Sequence, residues 1–63
     1  MRKVYEKDGN GVMAHLVPDG KSKQHAIIMV AAYTKKEAEE KLNVAIDEAP
    51  PRYAALIKKE GII

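Results

Sequence analysis

The chain contains no cysteine, no tryptophan and no phenylalanine, and three tyrosines are its only aromatic residues. Without cysteine there is no disulfide framework, no thiolate zinc site and no cysteine nucleophile, and a cytoplasmic location is the expectation. No apolar run approaches the roughly 18 residues of a membrane span. The opening Met1-Arg2-Lys3-Val4-Tyr5-Glu6-Lys7 turns polar too early for a signal peptide. A soluble, unprocessed chain with no membrane partner is therefore expected. Ser22 and Thr34 are the only serine and threonine, and neither has a base at a fixed neighbouring spacing. Asp8-Gly9-Asn10-Gly11 lacks the following helix and lysine that a phosphate cradle needs. The expectation is a non-enzyme with no catalytic residue, no cofactor and no metal.

At 63 residues the chain is one small domain, 1–63. A domain of this size buries only about 60% of its unfolded surface, so a partner or a second copy would help to stabilise it. The net charge of +2 is too small to indicate nucleic-acid binding, but it is unevenly spread. Residues 1–36 carry Arg2, Lys3, Lys7, Lys21, Lys23, Lys35 and Lys36 against Glu6, Asp8 and Asp19, whereas residues 37–49 carry five acids against Lys41. A solvated surface of mixed sign explains this without invoking function. A basic sheet edge opposite an acidic helix is the sharper reading.

The order of elements reads β-β-β-α-α, an α+β fold in which a three-stranded antiparallel meander is followed by an amphipathic helix packed on the sheet and a short C-terminal helix. Lys3 to Lys7 and Val12 to Val17 alternate as strands around Asp8-Gly9-Asn10-Gly11, whose Gly and Asn tolerate the positive φ of a tight hairpin turn. Pro18-Asp19-Gly20-Lys21 is a second turn. A third strand is expected from about Lys23 to Tyr33. Its central Ala26-Ile27-Ile28-Met29-Val30-Ala31-Ala32 is apolar on both faces and needs cover on both sides. Thr34 opens the first helix with a capping box to Glu37, and Ala38, Leu42, Ala45, Ile46 and Ala49 form one apolar stripe. Pro50-Pro51 ends it. Arg52 to Glu60 forms the second helix, with Tyr53, Leu56 and Ile57 on one face and Gly61 followed by Ile62 reading as a Schellman stop.

Two histidines raise a metal or acid/base reading. A three-residue turn between strands two and three would place His15 opposite His25, side chains about 5 Å apart. No third ligand or orienting carboxylate is fixed by spacing, so two surface or partner-facing strand residues remain the plainer reading. For nucleic acid, Lys3, Lys7, Lys21 and Lys23 with Tyr5 are candidate contacts, but Tyr33 and Tyr53 are expected in the core, which leaves no aromatic pair for base stacking. The feature that a monomer explains poorly is the second apolar face of strand three. The expected dimer or partner interface is Ile27, Met29, Ala31 and Val44, with His25 nearby.

Two segments, Tyr5 to Asp19 and Thr34 to Glu48, resemble HicB-like antitoxin domains: an opening hairpin leading to Pro-Asp, and a Thr-x-x-Glu-Ala helix with apolar residues at matching spacing. They span about half the chain. The Leu-Pro-Gly element usual after Pro-Asp is missing, the third strand is longer and more apolar, and only Pro50 to Ile63 stands where many such proteins carry a DNA-binding domain. The resemblance implies a partial RNase-H-like fold in a homodimer that binds and blocks a protein, such as a ribonuclease toxin. Thr34 to Glu39 is also similar to the sheet-to-helix junction of the arm-type DNA-binding domain of phage integrases, which implies a sheet laid in the DNA major groove. A phage- or plasmid-encoded inhibitor of a host enzyme is a third possibility that carries no motif.

Overall fold

A computed structural model describes residues 1–63. Strands β1 (Arg2–Asp8), β2 (Gly11–Val17) and β3 (Ile28–Ala32) form one antiparallel sheet in the order β1-β2-β3, followed by helices α1 (Lys35–Asp47) and α2 (Pro51–Glu60). The expected β-β-β-α-α architecture is the observed one. The first hairpin turns on Gly9 and Asn10, with Asp8 paired to Gly11. Positive φ falls on Gly9 (58°) and not on Asn10, the pattern of a type II′ turn, whose twist matches that of the strands.

Register sorts the strand residues onto two faces. Lys3, Leu16 and Ile28 form one cross-strand row, Tyr5, Ala14 and Val30 the next, and Lys7, Val12 and Ala32 the third. Helix α1 packs across these rows on β2 and β3. Its Ala38 and Leu42 join Ala14, Leu16 and Met1 in a fully buried cluster, and Leu56 and Ile57 of α2 pack against it. Burial of one such aliphatic side chain contributes about 1.5–3 kcal/mol, so this small cluster is the main stabilising feature.

Met1 fastens the far end. Its side chain is fully buried, its α-amino group donates to the Gly61 carbonyl and lies 2.9 Å from Asp19 Oδ1, and its own carbonyl accepts from the Ile63 amide at 2.9 Å.

Four local expectations need correction. The third strand begins at Ile28, because Lys23–His25 forms a 3₁₀ turn instead. Only half of the capping box is made: the Glu37 amide donates to Thr34 Oγ1 at 3.2 Å, while the Glu37 carboxylate turns to Lys41 at 3.3 Å. Gly61 has φ 76° but ψ 168°, so the chain leaves α2 extended and no Schellman bond forms from Ile62; the tail runs beside Met1. Tyr33, expected in the core, is 81% exposed.

Two substitutions test this packing. Leu42→Ala is expected to cost about 2–5 kcal/mol, read as a lower urea midpoint with an unchanged slope. A Cβ on Gly11 would lie 2.5 Å from the Ala32 carbonyl oxygen, a backbone atom with little freedom to move. Gly11→Ala is therefore expected to destabilise by roughly 1–3 kcal/mol, the usual cost of overpacking, while Ala at the neighbouring exposed Asn10 changes little.

Candidate functional site

The face of the sheet away from α1 holds Arg2 and Val17 in one row, Val4, His15 and Met29 in the next, and Glu6, Met13 and Ala31 in the third. Neither helix covers it. The connection from Pro18 to Ile27 folds over one end as a strap. The Arg2 guanidinium donates to the Lys21 carbonyl at 2.7 Å, and the Lys23 ammonium pairs with Glu6. Between these two anchors Val17 is fully buried and His15 is 5% exposed. At the other end Met29 is 62% exposed and Ala31 is exposed, with Val4 and Met13 half-buried.

A polar network holds the strap. His15 Nε2 lies 3.0 Å from Glu6 Oε1, and the carboxylate can only accept, so Nε2 carries the hydrogen. Lys23 takes the other carboxylate oxygen. The hydrogen bond from Lys23, then that from His15, holds the Glu6 carboxyl below the usual carboxylate range. His15 Nδ1 is buried without a partner, an uncommon deficit for a folded protein.

The expected interface residues are not brought together. Met29 and Ala31 lie on the open face, but Ile27 is half-buried against the central cluster and His25 is exposed in the 3₁₀ turn. Val44, 54% exposed, lies on the solvent side of α1, across the molecule from that face. His15 faces Val4 and Met29 rather than His25, so the two imidazoles are not a cross-strand pair. No group of three or more His, Cys, Asp or Glu residues is arranged to hold a metal ion.

The four candidate lysines are dispersed as well. Lys3 and Lys7 project from the helix-covered face, where Lys3 donates to Asn43 Oδ1 at 2.8 Å, while Lys23 crosses the open face to Glu6 and Lys21 sits in the strap. A different cluster forms at the hairpin end. Tyr5, Lys7, Val12, Tyr33 and Lys35, with Glu6, Asn10 and Gly11, line an open cavity of about 380 Å³. The Lys35 ammonium stands 5.1 Å above the Tyr5 ring centroid. Burial, and then the negative charge of Glu39, pushes the Tyr5 phenol up, so it stays a donor at neutral pH.

Glu6 and Tyr33 went unrecognised as site residues in the sequence. A signal for the first existed: Gly20 to His25 is wholly polar, a poor start for a strand that needs cover on two faces. Tyr33 continues the alternation of Ile27, Met29 and Ala31 and so reads as the end of the third strand, but β3 stops at Ala32 and leaves the ring in solvent.

The network predicts a pH dependence. A carboxyl held low contributes stability that is full above the ordinary value of about 4.3 and is lost as pH falls through its folded value. Amide protection in residues 18–27 is therefore expected to fall in acid. Lys23→Met should move the Glu6 titration, followed by carboxyl carbon NMR, back up toward the ordinary range, with His15 retaining part of the shift. Comparison of the chain with protein-family models, curated proteins and solved structures finds no match in any of the three.

Proposed function

We propose that the protein is a non-catalytic protein-binding module of the cytoplasm that forms a homodimer through the open face of its sheet and blocks a partner protein, in the manner of an antitoxin or inhibitor. The observation that carries this reading is the uncovered end of that face, where Met29 and Ala31 stand in solvent beside half-buried Val4 and Met13. These side chains are neighbours on the sheet and offer a second molecule an apolar strip that lies under neither helix. The free edge of β3 is a poorer contact surface, because the Lys41 ammonium donates to the Ala31 carbonyl there at 3.2 Å and a lysine at a sheet edge discourages strand addition. Face-to-face association is thus the better supported geometry. The two segments similar to HicB-like antitoxins agree with it, and a ribonuclease toxin or a host enzyme is the class of partner they suggest.

Duplex DNA binding by Lys3, Lys7, Lys21 and Lys23 has less support, since those ammonium groups do not share a surface.

Sedimentation equilibrium at micromolar concentration is expected to give a dimer. Met29→Lys should leave monomer stability within about 0.5 kcal/mol, as exposed positions usually do, and raise the dimer dissociation constant roughly tenfold or more, the scale of a central contact. A strictly monomeric wild-type protein at high concentration would remove the dimer from this reading.

A further inference from the structure

At the hairpin end of the helix-covered face the sheet runs out from under α1. The last cross-strand row is Lys7, Val12 and Ala32, with Tyr5 in the row before, and Lys35 is the residue of the helix that lines the cavity there. We infer that the cavity between Tyr5 and Tyr33 is a binding site for an unpaired nucleotide of a single-stranded nucleic acid, its base stacked on Tyr33 and its phosphate held by Lys7 and Lys35.

Tyr33 has no packing role, being 81% exposed immediately before the helix cap, so its ring offers a free π-face. Tyr5 forms the inner wall and is already overlaid by the Lys35 ammonium, which places a cation beside the aromatic surface. Two lysines and one carboxylate line the cavity, with the Glu39 carboxylate of α1 acting on Tyr5 from outside the lining. The lining carboxylate, Glu6, is engaged by Lys23 and His15, whereas Lys7 and Lys35 form no ion pair. Asn10 at the rim supplies the donor and acceptor that a base edge requires. The depression on the other side of Tyr33 contains Asp8 and a Lys41 already tied to Glu37, so the phosphate belongs with Lys7 and Lys35.

Two alternatives fit less well. An acidic peptide would use the lysines but leave two tyrosine faces idle. In a duplex the base faces are stacked on neighbouring pairs, so only a splayed, unpaired base can reach Tyr33. The cavity of about 380 Å³ lies at the lower end of the range for small-ligand sites, which suits one nucleotide. The inference is independent of the proposed dimer, because Tyr5 and Lys7 project from the opposite side of the sheet to Val4, Met13 and Met29.

The experiment is fluorescence anisotropy of a labelled oligothymidylate about twelve nucleotides long, within the span that small single-strand binding modules cover. At low salt the wild-type protein and Tyr33→Phe should bind alike, and Tyr33→Ala should bind roughly five- to a hundredfold more weakly, the range for loss of one stacked base. Lys35→Gln should reduce the slope of log affinity against log salt by about 0.7, the value for one phosphate contact on a single strand. Amide shift changes on titration should centre on Tyr5, Lys7, Tyr33 and Lys35 and leave Met29 and Ala31 unmoved. Because Tyr33 is exposed, an unchanged melting curve confirms that the variant is folded.

Absence of binding at low salt, or equal binding by Tyr33→Ala and the wild type, would overturn the inference. Binding of free thymidine monophosphate as tightly as the oligonucleotide would overturn the single-strand assignment and leave a free-nucleotide site. Equal or tighter binding of duplex or of polyglutamate would overturn the stacking argument.

Discussion

A sheet has two faces, and this chain has one helix long enough to cover one of them. That limit governs the rest of the structure. Helix α1 takes the rows through Leu16, Ala14 and Val12, and its fully buried contacts are made by only Ala38 and Leu42. Helix α2 adds Leu56 and Ile57 at the margin of the same cluster and gives no cover to the other face. Met1 then becomes structurally important out of proportion to its size. It brings a buried side chain to the core and, through its amino and carbonyl groups, ties the segment after α2 to the start of the sheet.

The second face is covered in part, and by a polar segment. The strap closes over Val17 and His15 through the Arg2 to Lys21 bond, the Lys23 to Glu6 pair and the pair of the Met1 ammonium with Asp19, so that apart from Ile27 at its end, which packs on the core, it is held by polar contacts. Such cover is weaker than apolar packing, because water screens an ion pair at the surface and holding it costs side-chain freedom. It also carries a cost, because His15 is enclosed with Nδ1 unsatisfied. Segments held in this way open with smaller free energies than the elements they cover. The strap is consequently the part of the fold whose opening would extend the surface around Met29, by uncovering His15 in the same row and Val17 in the next.

The architecture was legible because its signals are local. Gly9-Asn10 between alternating strands, Thr34 ahead of a stripe spaced for one helical face, and Pro50-Pro51 each act within a few residues, so no knowledge of the tertiary structure is needed to read them. The start of β3 is not legible, because Ala26 and Ile27 continue the apolar run of Ile28 and apolar content by itself does not reveal where pairing begins. Surface assignments failed for a related reason. Period-two alternation groups Ile27 with Met29 only if both lie in the strand, and Ile27 precedes it and turns to the core. Val44 was placed with them on exposure alone, although exposure does not say on which side of the molecule a residue lies. Tyr33 shows the opposite error: read as the last residue of an apolar strand it belongs in the core, whereas β3 ends at Ala32 and the ring stands in solvent.

Under the proposed dimer, association and folding are thermodynamically linked. Whatever binds the folded state and not the unfolded one adds RT ln(1 + [L]/Kd) to stability, about 2.7 kcal/mol at a hundredfold excess over Kd. For a domain with five side chains in its central buried cluster, that is comparable with the burial of one of them. The open face therefore need not be a defect that selection tolerated for the sake of a partner. In that dimer the second molecule supplies the apolar contact that neither helix gives Met29 and Ala31, with the strap covering the rest of the face. The tyrosine cleft opens on the other side of the sheet, and of its lining Glu6 alone also belongs to the open face, where its carboxylate pins the strap.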